Sequence, residues 1–167
     1  YLVRDPRNVI LSISNHFGTT HEESFNTITN ERYTIYPEIN KQMIPATLIG
    51  SWNKHYSSWK NCNSINKIII KYEDLINNTK ETFKKIVNFL SEHTEIRHNE
   101  EKFINSINST QFEKLKKYED KHGFNMGQKD KFFHLGKRNE WKNLLDGKID
   151  SKISNEFKFE MRELGYI

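Results

Sequence analysis

The junction Val3-Arg4-Asp5-Pro6 most constrains how this chain folds. Tyr1, Leu2 and Val3 form an apolar run of the kind that ends a buried strand. Asp5 is a good helix N-cap, and Pro6 suits the first helical position, where its missing N–H costs nothing. Val9, Ile10, Ile13 and Phe17 follow at i, i+1, i+4 and i+8, one apolar face of a helix. Gly18 is a natural stop. The chain is therefore expected to open as strand, short turn, helix. An Arg ending such a strand lies beside a helix N-terminus, whose N–H groups and dipole attract anions. Its guanidinium suits two-pronged recognition of phosphate. Ser12, two turns beyond Asp5, returns to the same side and offers a hydroxyl. The residue types leave a second use open, in which Arg4 pairs with Asp5 or another carboxylate and Ser12 is a surface hydroxyl.

Beyond Gly18 the periodicity alternates. Residues 19–43 are polar and lack a clear period, so a loop or a pair of short helical turns is expected. A helix is predicted from Pro45, carrying Leu48, Trp52, Tyr56 and Trp59. Lys67-Ile-Ile-Ile-Lys-Tyr72 is a β-branched run, as in a strand buried on both faces. Asn78-Thr79 is predicted to cap a helix with Phe83, Ile86, Val87 and Leu90 on one face. Residues 99–118 suggest a helix pair broken around Asn108-Ser-Thr110, and residues 119–139 a long loop. Ile149 to Leu164 is predicted as one final amphipathic helix ending at Gly165. Strand alternating with helix implies an α/β fold with a parallel sheet, in one domain over residues 1–167.

Composition narrows the function classes. Hydrophobic residues make up only 35%, but a 13% aromatic share argues against disorder, because those rings need burial. The excess of 26 basic over 22 acidic residues, net +4, suits an anionic ligand. The basic residues are dispersed, which places a nucleic-acid-binding module last among the alternatives. The single Cys62 excludes an internal disulfide and a Cys-based zinc site, and fits a reducing, cytoplasmic setting. No stretch approaches the roughly 18 apolar residues of a membrane span, and no signal peptide is visible. Because the chain begins in an apolar run rather than at a Met, further residues are expected upstream. Trp52, Trp59 and Trp141 are expected in the core. Asn77-Asn-Thr79 and Asn108-Ser-Thr110 match the glycosylation sequon.

Several segments taken in order resemble one family. Tyr1-Leu-Val-Arg-Asp-Pro-Arg-Asn-Val-Ile-Leu-Ser12 is similar to the 3′-phosphate-binding segment of sulfotransferases that use PAPS (3′-phosphoadenosine 5′-phosphosulfate). Ile49-Gly-Ser-Trp52 resembles that family's Gly-Ser-Trp helix, and Ile70-Lys-Tyr-Glu-Asp-Leu75 its Tyr-Glu-Asp strand end. Thr110-Gln-Phe112 stands where the family has a Thr-Ser-Phe cofactor contact. Phe132-Phe-His-Leu-Gly-Lys-Arg-Asn-Glu-Trp-Lys-Asn143 resembles the late loop that folds over the cofactor's phosphate.

The resemblance implies a P-loop-NTPase-like parallel sheet flanked by helices, lacking its N-terminal part. It implies sulfuryl transfer from PAPS, with PAP as product, to a hydroxyl or amine on a small-molecule, lipid or carbohydrate acceptor. Arg4 and Ser12 would hold the 3′-phosphate. Tyr72, Thr110, Phe112, Phe132, His134, Gly136 and Lys137 would complete the cofactor site. No metal is implied. The late loop departs from the family pattern, with His134-Leu135-Gly136 for Arg-Lys-Gly and Asn139-Glu140 for Gly-Asp. A neutral His is a weaker phosphate partner than Arg, and Lys129, Lys131, Lys137 or Arg138 are the cations at hand to compensate. Leu144-Leu-Asp-Gly lacks the family's Thr-Val dimerisation signature, so no dimer is carried over. The family's Gly-rich, Lys-bearing 5′-phosphosulfate loop and its catalytic Lys and His precede the opening strand. Neither His16 nor His21 inherits that role, and this chain alone is expected to be inactive, an alternative being a non-catalytic PAP-binding remnant.

Overall fold

Asp5 caps the first helix as expected: its side chain accepts the Arg7 N–H, Pro6 starts the helix, and Gly18 ends it at φ 68°. The computed structural model describes residues 1–36, 45–123, 133 and 140–167. It shows an α/β fold, with chain order β1 (Leu2–Val3), α1 (Pro6–Phe17), α2 (His21–Thr29), β2 (Thr34–Ile35), β3 (Thr47–Leu48), α3 (Trp52–Asn61), β4 (Ile70–Lys71), α4 (Tyr72–Asn77), α5 (Thr79–His93), α6 (Glu100–Ser109), α7 (Phe112–His122), α8 (Trp141–Leu144), α9 (Gly147–Glu156) and α10 (Lys158–Glu163). These group into two compact units. One holds Tyr1–Arg4 and Asn63–Asn139, the other Asp5–Cys62 and Glu140–Ile167.

The first unit contains the parallel pair. β1 runs beside β4 with Leu2 opposite Ile70 and Val3 opposite Lys71. The Tyr1 nitrogen donates to the Ile68 carbonyl at 2.8 Å, and the Ile70 N–H donates to the Tyr1 carbonyl at 2.9 Å, continuing the ladder. The expected strand over 67–72 is shorter than its β-branched run suggested: only Ile70–Lys71 is strand, Ile68 and Ile69 are half-buried, and Tyr72 already begins α4. α5 follows as predicted, tied to α4 by the Thr82 hydroxyl, which donates to the Asp74 carbonyl at 3.1 Å. The helix pair α6 and α7 is present, with its break at Thr110-Gln111. Phe103 of α6 is buried and stacks on Phe83 of α5 at 5.2 Å.

The second unit is built on an apolar core of Ile10, Ile28, Ile149, Ile153, Phe157 and Met161. Three expectations change here. Residues 21–29 form one continuous helix rather than a loop or a pair of short helical turns, and Thr20 and Glu23 fix its start with a reciprocal capping box. The segment from Pro45 is no helix. Thr47–Leu48 pairs antiparallel with Thr34–Ile35, and Gly50 at φ 72° brings its N–H to the Tyr33 carbonyl, so α3 starts only after Ser51. The final helix is two, parted at Phe157, although Ile149, Ile153, Phe157 and Met161 keep one buried stripe at spacing four. Trp52 packs on Phe157 at 5.1 Å as a core residue, whereas Trp59 is 40% exposed at the end of α3 and is not one.

Candidate functional site

The strand register positions the first candidate pair. Val3 faces Lys71 across the parallel ladder, so the next residues, Arg4 and Tyr72, leave the two strands side by side at their C-terminal ends. In α/β sheets that is the edge where ligands bind. The Arg4 guanidinium lies over the Tyr72 ring, 4.4 Å from its centroid, and both residues are half-buried. A cation on an aromatic face is held without losing its hydrogen-bonding edge, since the attraction is to the ring's quadrupole. Tyr1, at the start of β1, is half-buried too, and burial pushes its phenol up to about 12.

The same unit carries Thr110 and Phe112. Thr110 is the exposed C-cap of α6, its hydroxyl donating to the Ser106 carbonyl at 2.8 Å. Phe112 opens α7 and is half-buried, its ring edge-on to Phe133 at 6.0 Å. α7 runs to His122 before Gly123 turns at φ 74°, so residues 119–122 are helical, not loop. That places Glu119 inside the helix, where it is buried and accepts the Phe133 N–H at 2.8 Å. Glu119 did not stand out in the sequence, because it opens the stretch 119–139 that reads as a long loop. Phe132, His134, Gly136 and Lys137 lie outside the described residues.

Ser12 belongs to the second unit, half-buried on α1. The first turn of that helix is fixed by Arg7, which sequence reasoning also passed over. Its Nε donates to Asp5 Oδ1 at 2.9 Å, and its Nη2 to Asp5 Oδ2 at 2.7 Å and the Tyr166 carbonyl at 2.8 Å. Nη1 is 3.6 Å from Asp150, and the guanidinium stacks 3.8 Å from the centre of the Trp141 ring. The Trp141 N–H reaches the Asn8 side chain at 3.2 Å. Trp141, expected in the core, is thus half-buried as the platform under Arg7. The signal available in the sequence was an N-cap acid with Arg two residues on, close enough for a local fork.

With this geometry in hand, comparison places the chain. A sulfotransferase domain model matches residues 1–165, and the chain belongs to the sulfotransferase domain family. Among solved structures it is similar to mouse sulfotransferase SULT7A1 complexed with PAP, at 20% identity and a TM-score of 0.65, over 97% of this chain and 57% of the other. The chain thus spans little more than half the length of that relative, and at this identity the likeness concerns the fold. No curated protein sequence matches the chain significantly. Among the described residues, no group of His, Cys, Asp or Glu is arranged to hold a metal, and no helix is long and apolar enough to cross a membrane.

Proposed function

We propose that this chain is the PAP-binding part of a single sulfotransferase domain that transfers a sulfuryl group from PAPS to a hydroxyl or amine acceptor. The observation that carries the reading is Arg4 on the face of Tyr72 at the C-terminal ends of the paired parallel strands. Family membership supplies the nucleotide. Arg4 presents its guanidinium edge to the 3′-phosphate; Ser12 is assigned to the same phosphate on the resemblance alone. Tyr72 orients Arg4 and packs near the adenosine with Thr110 and Phe112. Phe132, His134, Gly136 and Lys137 complete the site on the resemblance alone. When bound, PAPS supplies the activated sulfuryl group; these residues bind and orient it. Sulfuryl transfer also needs a base for the acceptor proton and cations on the leaving phosphate. The family's Lys-bearing Gly-rich turn does not occur in this sequence, so the chain by itself binds PAP without turning over PAPS.

Titration calorimetry with PAP and with AMP, which lacks the 3′-phosphate, tests this. The chain should prefer PAP, and Arg4→Ala should remove about tenfold or more of that preference, the weight of a charged hydrogen bond. An Arg4→Ala chain that still prefers PAP as strongly as the unsubstituted one refutes the assignment.

A further inference from the structure

Glu119 is a buried acid with no part in the chemistry proposed above. Taking a carboxyl group out of water is costly unless its oxygens find donors. One donor is the Phe133 backbone, 2.8 Å from Oε2 and fourteen residues further along the chain. The ring of Phe133 meets Phe112 edge-on at 6.0 Å. Phe112 and Glu119 stand seven residues apart on α7, about two turns, so they share one face of that helix. α7 therefore grips Phe133 at two points, the main chain through Glu119 and the side chain through Phe112. Phe112, the ring that Phe133 meets, is assigned above to the adenosine.

We propose that Glu119 is a positioning residue for nucleotide binding: by holding the Phe133 N–H it fixes Phe133 against Phe112 before the nucleotide arrives. This rests on the PAP-binding reading. A Phe133–Phe112 contact made in advance does not have to be ordered by the ligand, so the ordering cost is not subtracted from affinity. Glu119 touches no reacting atom. Its oxygen is needed as an acceptor, so a Gln amide oxygen can stand in for it, whereas a methyl group cannot.

The experiment measures PAP affinity and, without nucleotide, the melting temperature of the unsubstituted chain, Glu119→Ala, Glu119→Gln and Glu119→Asp. Glu119→Ala should weaken PAP binding about tenfold or more, as loss of a hydrogen bond to a charged acceptor does. Glu119→Gln should stay within about threefold, because it keeps the acceptor. If Glu119→Ala does not fold, Glu119→Asp decides: its carboxyl is one methylene short of Phe133, and it should lose affinity while staying folded. A folded Glu119→Ala or Glu119→Asp chain that binds PAP like the unsubstituted one overturns the positioning role alone. So does Glu119→Gln losing as much as Glu119→Ala. Absence of PAP binding by the unsubstituted chain overturns the nucleotide reading and this role with it.

Discussion

A single residue acts either through its own backbone preferences or through the partners that the fold brings to it. Asp5, Pro6 and Gly18 shape a helix through their own backbone preferences, and each does so in the structure. Arg7 and Glu119 are buried charges held in part by partners further along the chain. For Arg7 those are Tyr166, Asp150 and Trp141, more than 130 residues away in the chain. The Arg7–Asp5 pair, with each side chain 6% exposed, gives a direct test. Arg7→Ala leaves the Asp5 carboxylate buried without its bidentate partner and should destabilise the chain by about 3–5 kcal/mol. Arg7→Lys should recover only part, since an ammonium cannot reproduce the fork or the flat stack on Trp141. Urea unfolding followed by circular dichroism reads both; an Arg7→Ala chain as stable as the original would mean that the network contributes nothing net.

At the level of elements, long amphipathic stretches were legible and capped short ones were not. α1 and α5 carry apolar faces that repeat over several turns. α2 offers only Phe25 and Ile28 as apolar anchors, so periodicity passes over it, and its start is fixed by the Thr20–Glu23 box. The stretch from Pro45 failed in the opposite sense: the spacing of Leu48, Trp52 and Tyr56 looked helical, but Gly50 takes a backbone shape no helix has. The capping box has a pH signature. The Thr20 backbone N–H, then its hydroxyl, hold the Glu23 carboxyl below its ordinary range. A group whose folded value is depressed adds stability above its unfolded value and loses it as pH falls through the folded one. Thr20→Ala should lower stability near neutral pH, as loss of an N-cap does. Glu23→Gln keeps an acceptor but not the charge. Its deficit against the original chain should be present at neutral pH and vanish in acid below the carboxylate range. Melting curves at the two pH values check this, and a deficit unchanged by acid would remove the charge from the account.

For the whole molecule, the decisive pairing was the one no local pattern encodes. Tyr1–Arg4 groups with Asn63–Asn139, while Asp5–Cys62 and Glu140–Ile167 form the other unit. Periodicity predicted two strands but not that Val3 would lie opposite Lys71, and it is this register that brings Arg4 to Tyr72. The family resemblance, read from sequence segments, assigned Arg4 to the 3′-phosphate and Tyr72 to the adenosine without pairing the two side chains. The same logic separates the two classes of anionic ligand that a net charge of +4 admits. A nucleic-acid surface gains affinity by releasing counterions from many phosphates, and so weakens steeply with salt. A site for one nucleotide rests on a few placed groups. It stabilises the folded chain by mass action, about 2.7 kcal/mol when PAP stands at a hundred times its dissociation constant. PAP at that excess should raise the melting temperature of the chain, and Arg4→Ala, binding about tenfold more weakly, should cut the rise by about half or more at the same PAP concentration. Adding duplex DNA or single-stranded RNA in excess should leave the rise unchanged. Displacement of PAP by either nucleic acid, relieved by salt, would instead assign the basic residues to a polyanion and take Arg4 out of a nucleotide site.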